Sequence, residues 1–345
     1  MQEQVIQWIE QLQKAGQLPE EAYGALIQYR SQESLEELKK RAQKIVLDKG
    51  KQEISVCGTI SLSNYCKNDC AYCGIRRENR FLNRFRMDEK DVLELCQKGW
   101  ERGISSFLIQ GGEDLQYSYG EIAHMITGIK AKYSKSRVTL SLGEKSGTVY
   151  EQWKRAGADG YILCHETARD SHYRKLHPAN MSLLRRKQCL WELKEIGYQV
   201  GTGMMVGSPN QRIDDLAADL VFLRQLMPDY IQVYPFIPAQ GTEYENERSG
   251  NVELVCYLIS MLRIMFPDAT IPVAQGVALL DKSGMVRAVK SGADMILPDM
   301  TGEPAFSLYH NYQKRLMRGK IGLESVAVLR LQLQETEYEI ITGDR

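Results

Sequence analysis

Three cysteines in one short stretch constrain this chain more than any other feature of its sequence. Cys66, Cys70 and Cys73 stand at a C-x3-C-x2-C spacing, and an aromatic residue, Tyr72, immediately precedes the third cysteine. Thiolates are soft ligands that suit iron–sulfur clusters or zinc, and a structural zinc site needs four ligands. Three close thiolates predict a four-iron cluster with one iron that lacks a protein ligand. Unrelated buried cysteines or a partial zinc knuckle are the alternatives.

This spacing, with Tyr72 before the last cysteine, resembles the signature of the radical S-adenosylmethionine (SAM) enzymes. Six further stretches resemble hydrogenase maturases of the HydE type and follow in the order of that family. They are Cys73–Asn79, Arg84–Met87, Gln110–Asp114, Thr139–Glu144, His165–Ala168 and Gly201–Pro209. The resemblance runs from about residue 50 to about residue 305. It places the chain in a group that includes methylornithine synthases and biotin synthases.

Short β-rich stretches alternate with amphipathic helical stretches from residue 54 onward. Predicted strands cover 55–62, 105–110, 137–142, 160–165, 198–206, 230–236, 271–275 and 294–297. Predicted helices cover 88–102, 118–132, 147–156, 182–196, 213–226, 251–265 and 283–290. This repeated alternation favours an α/β fold, a complete (β/α)8 TIM barrel, and the resemblance to HydE implies the same barrel. An open doubly wound sheet is the alternative, but no G-x-G-x-x-G follows the first strand.

Three regions are expected. Residues 1–50 read as an N-terminal helical extension that packs over one end of the barrel, with Ser31 or Ser34 as a helix cap. Residues 51–305 form the barrel, and residues 306–345 form a C-terminal helical segment and polar tail. No second domain is predicted.

The composition excludes several classes of partner. Lysine plus arginine number 44 and aspartate plus glutamate also number 44, which argues against a nucleic acid or another polyanion. The N-terminus lacks the pattern of a secretory signal, and no apolar stretch is long enough to span a membrane. Eight cysteines, three of them clustered, indicate metal binding in a reducing compartment. We therefore expect a cytoplasmic protein that works without oxygen.

The resemblance implies a SAM site at the C-terminal ends of the strands, where barrel enzymes carry their chemistry. Cys66, Cys70 and Cys73 would bind the 4Fe-4S cluster. Tyr72 is a further expected SAM contact. Glycines let a backbone approach a ligand closely, and the resemblance places Gly111, Gly112 and Glu113 at the methionine amino end. It places Ser141 and Glu166 at the ribose or amino-acid portion and Met205 at the adenine. Aligned through Met181–Leu183, the resemblance places Arg186, rather than Arg185, on the arginine that pairs with the SAM carboxylate, a task that suits a planar guanidinium.

The expected substrate side departs from the HydE pattern. HydE-type maturases carry an arginine where this chain has Cys164, and strand alternation places Cys164 on the face of Glu166. Gln232 and Tyr234 stand where that family has glycines, and Gln275 lies where it has a threonine pair. Cys164 can equally be a small core residue, and Gln275 can equally be structural.

The resemblance implies reductive cleavage of SAM at a 4Fe-4S cluster, which yields a 5′-deoxyadenosyl radical. That radical would act on a small amino-acid-like or cysteine-derived substrate, with reduced ferredoxin or flavodoxin as electron donor. An amino-acid mutase similar to methylornithine synthase and a non-catalytic iron–sulfur scaffold are the alternatives. No accessory cluster is expected because the last cysteine is Cys256, and Cys57, Cys96, Cys189 and Cys256 are predicted core residues.

Overall fold

The computed structural model describes residues 2–50, 52–302, 305, 309, 322–334 and 336–342. Within them, eight parallel strands close into a barrel, because the first strand pairs with both the second and the eighth. They are β1 (Glu53–Ser63), β2 (Ser106–Gly111), β3 (Arg137–Ser141), β4 (Gly160–Ile162), β5 (Gln199–Val206), β6 (Tyr230–Pro235), β7 (Pro272–Val273) and β8 (Met295–Ile296). Consecutive strands are neighbours all the way round, which confirms the (β/α)8 barrel.

Helices precede the barrel and connect its strands. They are α1 (Gln2–Ala15), α2 (Glu20–Gln28), α3 (Gln32–Asp48), α4 (Glu89–Trp100), α5 (Tyr119–Lys132), α6 (Gly147–Arg155), α7 (Asp170–Leu176), α8 (Leu183–Ile196), α9 (Ile213–Leu226), α10 (Val252–Met265), α11 (Gln275–Leu280), α12 (Gly284–Lys290) and α13 (Glu324–Leu333). Polar side chains cap several starts, as where Ser31 accepts from the backbone N–H of Ser34 at α3. Such caps satisfy N–H groups that the helix cannot pair internally.

Two corners with the sequence Gly-Ala-Asp connect a helix to the next strand in the same way. Gly157 has φ +111° and Gly292 has φ +113°, a conformation that only glycine adopts without strain. The aspartates that follow, Asp159 and Asp294, each accept a hydrogen bond of 2.7 Å from a backbone N–H of the preceding strand region. The repeated motif therefore fixes where each helix stops and how the next strand enters the sheet.

The N-terminal helices lie on the outside of the barrel rather than over one of its ends. Helix α2 packs against α9, and α3 packs against α10. The Tyr257 hydroxyl on α10 donates to the Leu26 carbonyl on α2 over 3.0 Å. The expected position was wrong because α9 and α10 present apolar side chains on their outer faces, which α1 to α3 bury.

Three details differ from the predicted elements. Strand β4 ends at Ile162 instead of residue 165, since the chain leaves the ladder before the left-handed turn at Glu166, where φ is +66°. Helices α7 and α11 were not predicted. The expected polar tail contains a ninth strand, β9 (Glu339–Ile341), which pairs in parallel with the start of β1 on the edge opposite β8. Most of the predicted C-terminal helical segment, apart from α13, falls outside the described residues.

A small apolar cluster fills the barrel interior beneath the C-terminal ends of the strands, and we call it the apolar plug. Cys57, Leu108 and Ile162 form this cluster, and Met295 and Leu297 pack against it. The four cysteines outside the thiol loop that were predicted as core residues, Cys57, Cys96, Cys189 and Cys256, are all buried. Among the described residues, no helix combines the length and apolar character that a membrane span requires.

Candidate active site

The three clustered cysteines lie on the loop that follows β1, as predicted. All three are free thiols and are partly buried. Burial raises the pKa of Cys70 well above its usual value, and the neighbouring Cys73 and Cys66 thiols raise it further. Burial likewise raises the pKa of Cys73 to about 12. The three thiols thus stand on one loop at the C-terminal ends of the strands, which we call the mouth of the barrel.

The loop is suited to hold thiolates once a metal group balances their charge. The Asn68 backbone N–H donates to the Cys66 sulfur over 3.4 Å, and the Ile75 backbone N–H lowers the pKa of Cys73. Such N–H···S contacts accompany thiolate ligands of iron–sulfur clusters. Among the described residues, no three histidine, cysteine or acidic side chains converge on a single metal ion. In a four-iron cluster each thiolate binds a different iron, so the donor set fits the cluster.

Glu113 joins the cysteine loop to the loop after β2. Its buried carboxylate accepts from the Asn68 side chain (2.9 Å) and the Glu144 backbone N–H (3.1 Å), and it pairs with the Lys67 ammonium at 2.9 Å. Burial raises the pKa of Glu113, but Lys145 and Lys67 outweigh it and hold that pKa below the usual value. Glu113 is therefore an anion whose carboxylate is largely occupied by protein groups.

The two glycines before Glu113 allow the loop after β2 to lie close to the cysteine loop. A Cβ at Gly112 would lie 2.1 Å from the Tyr65 carbonyl oxygen and 2.7 Å from the Cys66 Cβ. A Cβ at Gly111 would meet its nearest neighbours at 3.4 Å. The predicted close approach at Gly112 is thus an approach to the cysteine loop itself.

Glu166 points its carboxylate toward two phenols at the centre of the mouth. The Tyr234 hydroxyl donates to Glu166 Oε2, and the Tyr72 hydroxyl lies close to the same carboxylate. Burial raises the pKa of Glu166, and the Tyr234 hydroxyl offsets part of that rise. The structure thus brings three predicted residues into contact.

Arg186 and Arg185 have different surroundings. Arg186 is buried, and its guanidinium donates to Glu144 Oε1 (2.7 Å) and to the Cys164 carbonyl (2.5 Å). Its Nη2 has no hydrogen-bond partner among the described residues. Arg185 instead pairs with Glu192 at 2.7 Å and is partly exposed. Arg185 also donates to the Lys145 carbonyl on the loop after β3, but of the two arginines Arg186 is the one that contacts Glu144 and the Cys164 carbonyl.

Of the predicted substrate-side residues, Tyr234 contacts Glu166, and Cys164 and Gln232 lie below it. The Cys164 thiol lies 3.6 Å from Gln232 Oε1. A Cβ at Gly203 would meet the Gln232 Cβ at 2.8 Å and the Cys164 sulfur at 3.1 Å. Gln275 does not join this group, because its amide donates to the Leu297 carbonyl of the β8 end over 3.0 Å.

Met205 and Ser141 complete the predicted set. Met205 is buried and lines a cavity of about 160 Å³ together with Tyr72, Cys73 and Tyr234. Ser141 ends β3 opposite Gln110. A larger cavity of about 330 Å³ lies between the β2 and β3 loops and helices α5 and α6, beside Gly111, Gly112 and Glu113. Of these two cavities, the smaller one is lined by Cys73.

Sequence reasoning missed several residues of the mouth. Glu144 pairs with Arg186, and its place at the end of a family-like stretch was a signal. Tyr173 stacks on His177 with ring centroids 3.8 Å apart, and no pattern marked either residue. The buried His165 Nε2 lies 3.4 Å from the buried Asp219 Oδ1, and Asp219 also accepts from the Ala168 backbone N–H. This pair holds the segment that carries Glu166.

A (β/α)8 barrel with three thiols on the loop after its first strand defines the class of barrel enzymes that work at an iron–sulfur cluster. A family model described as the Radical SAM superfamily matches residues 60–223.

Comparison with individual proteins narrows the family to which the chain belongs. The chain is 38% identical to the [FeFe] hydrogenase maturase subunit HydE of Thermotoga maritima over 264 residues, which cover 76% of this chain and 75% of that protein. It is 26% identical to the 3-methylornithine synthase of Methanosarcina acetivorans over 90% of this chain and 87% of that one. The crystal structure of methylornithine synthase (PylB) superposes with a TM-score of 0.82 at 25% identity and covers 96% of both chains. The chain belongs to the radical SAM superfamily and is a HydE-like enzyme that uses a 4Fe-4S cluster and SAM.

Proposed function

We propose that Cys66, Cys70 and Cys73 bind the cluster and that the residues around them bind SAM at the mouth of the barrel. One observation carries this proposal: hydrogen bonds connect the cysteine loop through Glu113, Glu144 and Arg186 to the Cys164 carbonyl. Glu166 then leads through Tyr72 back to the cysteine loop. Polar groups on four loops therefore surround one volume beside the thiols.

Each residue of this ring has a role that its chemistry supports. Arg186 offers its Nη2 to the SAM carboxylate, and Gly111, Gly112 and Glu113 position the amino end. Glu166 and Ser141 accept hydrogen bonds from the ribose or the amino-acid portion, while Met205 and Tyr72 cover the apolar surface of the nucleoside. When bound, the cluster and SAM supply reductive cleavage that yields a 5′-deoxyadenosyl radical. The apolar plug below and the packed mouth above keep water away from that chemistry.

The interior beneath Glu166 supports a small amino-acid-like or cysteine-derived substrate. The Cys164 thiol contacts the Gln232 amide oxygen and also packs against the apolar cluster of Cys57, Leu108 and Ile162, so a substrate here would meet neutral and apolar groups. The described cation nearest to them, Arg186, is already paired with Glu144. A cysteine-derived substrate agrees with the likeness to HydE, and we propose reduced ferredoxin or flavodoxin as the electron donor.

A second candidate is an amino-acid mutase reaction. The likeness to methylornithine synthase covers nearly the whole of both chains, including the part that lies outside the match to HydE. Deuterium transfer from a labelled amino acid into 5′-deoxyadenosine would support hydrogen abstraction, as a mutase requires. A covalent adduct between the adenosyl group and a substrate sulfur would instead support the cysteine-derived substrate.

The test of the proposed site is anaerobic reconstitution followed by incubation with SAM and dithionite. We expect 5′-deoxyadenosine and methionine from the wild type. Cys70→Ala should abolish both the cluster and the cleavage, whereas the matched control Cys96→Ala, which removes a buried core thiol, should keep both. An intact cluster without cleavage would favour a scaffold. Bound zinc without labile sulfide in the wild type would overturn the proposal.

A further inference from the structure

The extension of the cysteine loop, residues 74–86, carries a concentrated positive charge. From Cys66 to Arg86 the chain has six basic and two acidic residues, a net charge of +4, whereas the whole chain has 44 of each. We call the exposed side chains Lys67, Arg77, Arg80 and Phe81 the basic loop surface. This concentration beside the three thiols requires an explanation, because the remainder of the chain is correspondingly acidic.

The loop that bears this surface is held in one conformation. The Arg84 guanidinium donates to the Ile75 carbonyl (2.9 Å), the Arg76 carbonyl (2.6 Å) and the Asn79 carbonyl (3.2 Å). It also donates to the Asn64 carbonyl at the end of β1. Burial lowers the pKa of Arg84, because its charge is partly removed from water where it bonds these carbonyls. A surface organised before binding loses less entropy when a partner docks.

Asn79 fixes the same loop from the opposite side. Its buried amide donates to the Gly74 carbonyl (2.7 Å) and to the Gln240 carbonyl (2.8 Å), and its oxygen accepts from the Phe81 backbone N–H (3.0 Å). Phe81 is nevertheless 72% exposed. An aromatic side chain that remains in water on a fixed loop is typical of a protein–protein contact.

The charges of the surface are accessible to a partner. The Arg77 side chain is 60% exposed and pairs only with the adjacent Glu78 at 3.0 Å, an exposed ion pair of little net energy. Arg80 is exposed and forms no ion pair within the described part of the chain. The nearby Glu243 is occupied by Arg76 at 3.3 Å. Among the exposed charged side chains of residues 66–86, four are basic and only Glu78 is acidic.

The same surface is directly connected to the thiol loop. The Arg77 backbone N–H donates to the carbonyl of Asn68, which lies between Cys66 and Cys70, over 2.9 Å. The Asp69 carboxylate, next to Cys70, accepts from Arg76 (2.6 Å) and from the Glu78 backbone N–H (3.3 Å). A protein bound to the basic loop surface would therefore contact a segment that is hydrogen-bonded directly to the thiol loop.

We propose that the basic loop surface docks a small acidic electron-transfer protein. This inference rests on the proposed function, because it needs an electron acceptor at Cys66, Cys70 and Cys73. The docked partner gives up one electron to that acceptor and leaves oxidised by one electron, with no atom transferred. Opposite charges raise the rate of encounter and orient the partner. Electron transfer slows steeply with distance, and a donor docked on this surface would lie beside the loop that carries the acceptor.

The experiment uses the anaerobic holoenzyme and an acidic bacterial flavodoxin as the probe. Binding is measured by biolayer interferometry at low and at high ionic strength, and 5′-deoxyadenosine formation is measured with reduced flavodoxin and, separately, with dithionite. The variant Arg77→Glu/Arg80→Glu should weaken flavodoxin binding by roughly tenfold or more at low salt, with a smaller effect at high salt. Cleavage supported by dithionite should stay within about twofold of the wild type.

The matched control is Arg102→Glu/Arg155→Glu, which changes the net charge equally at the opposite end of the barrel, where α4 and α6 end. Equal weakening by both pairs, or weakening by neither, would overturn the proposal. Iron content is measured for each variant, and if the reversal pair loses its cluster, Arg77→Gln/Arg80→Gln is judged by the same criteria. Failure of the proposed function is distinguishable, because dithionite would then support no cleavage in the wild type whatever the binding result.

Discussion

The Tyr234 hydroxyl donates a hydrogen bond to the Glu166 carboxylate across the mouth of the barrel. The two residues lie on the loop after β4 and on β6, so the contact spans β5. Tyr234 stands where HydE-type maturases have a glycine, and Glu166 is the acid that we assign to SAM. A substitution on the substrate side therefore acts directly on a residue of the cofactor side.

Tyr234→Phe should shift the pH dependence of SAM binding. The phenol lowers the Glu166 pKa against the larger effect of burial, so its loss should raise that pKa further. A hydrogen bond to a charged group is worth about 1.5–3 kcal/mol, so its loss should change the Glu166 pKa measurably. SAM affinity measured by equilibrium dialysis should begin to fall at a correspondingly higher pH. Tyr230→Phe on the same strand is the control, and identical pH profiles for all three proteins would contradict the prediction.

Arg186→Ala should weaken SAM binding by roughly 10- to 100-fold, since a charge-assisted hydrogen bond to the carboxylate is lost. It should also lower the free energy of unfolding by roughly 1–3 kcal/mol, because the partly buried Glu144 would lose its partner. Arg185→Ala, which removes a partly exposed pair with Glu192, should change neither quantity appreciably. Calorimetry and urea denaturation measure the two effects. Unchanged SAM affinity in Arg186→Ala would exclude the assigned role.

Gly112→Ala should reduce the iron content of the reconstituted protein. A Cβ there would lie 2.1 Å from the Tyr65 carbonyl oxygen, so the cysteine loop would have to move. Gly120→Ala is the matched control: its Cβ would meet only the Ser118 hydroxyl, at 3.9 Å, in the first turn of α5. Iron and sulfide analysis should show a loss for the first variant only. Full cluster occupancy in Gly112→Ala would show that the loop can adjust.

His177→Phe should reduce the loss of stability at acidic pH. Burial, with help from Arg186, lowers the pKa of His177 to about 3 from the ordinary value of 6.5. The unfolded chain therefore takes up the proton first, and stability is lost as the pH falls below about 6.5. From pH 7 to pH 5 this one group should remove about 2 kcal/mol from the wild type. Phenylalanine keeps the stacking on Tyr173, so urea denaturation at both pH values should show a smaller difference in the variant. An equal difference would place the acid sensitivity elsewhere.

Much of the fold followed from local patterns. The alternation of short β-rich and amphipathic stretches, and the glycine in each Gly-Ala-Asp corner, depend on neighbours close in the chain, so the eight strands were found in order. Strand β9 was missed because its stability comes from pairing with β1, almost three hundred residues away in the chain. The end of β4 was misjudged because the left-handed turn at Glu166 is held by tertiary contacts, such as the Met205 backbone N–H that donates to the Glu166 carbonyl over 3.0 Å.

The sequence by itself determined the class of chemistry, because three thiols at fixed spacing on one loop need no distant partner to be recognised as a cluster-binding set. Only the tertiary structure decided which side chains contact one another at the mouth of the barrel. It showed that Arg186 reaches Glu144 and the Cys164 carbonyl, that Tyr234 contacts Glu166, and that Gln275 serves the backbone of β8 instead of the pocket. Contacts of this kind depend on which side chains meet across a closed barrel, and no local pattern along the chain encodes that meeting.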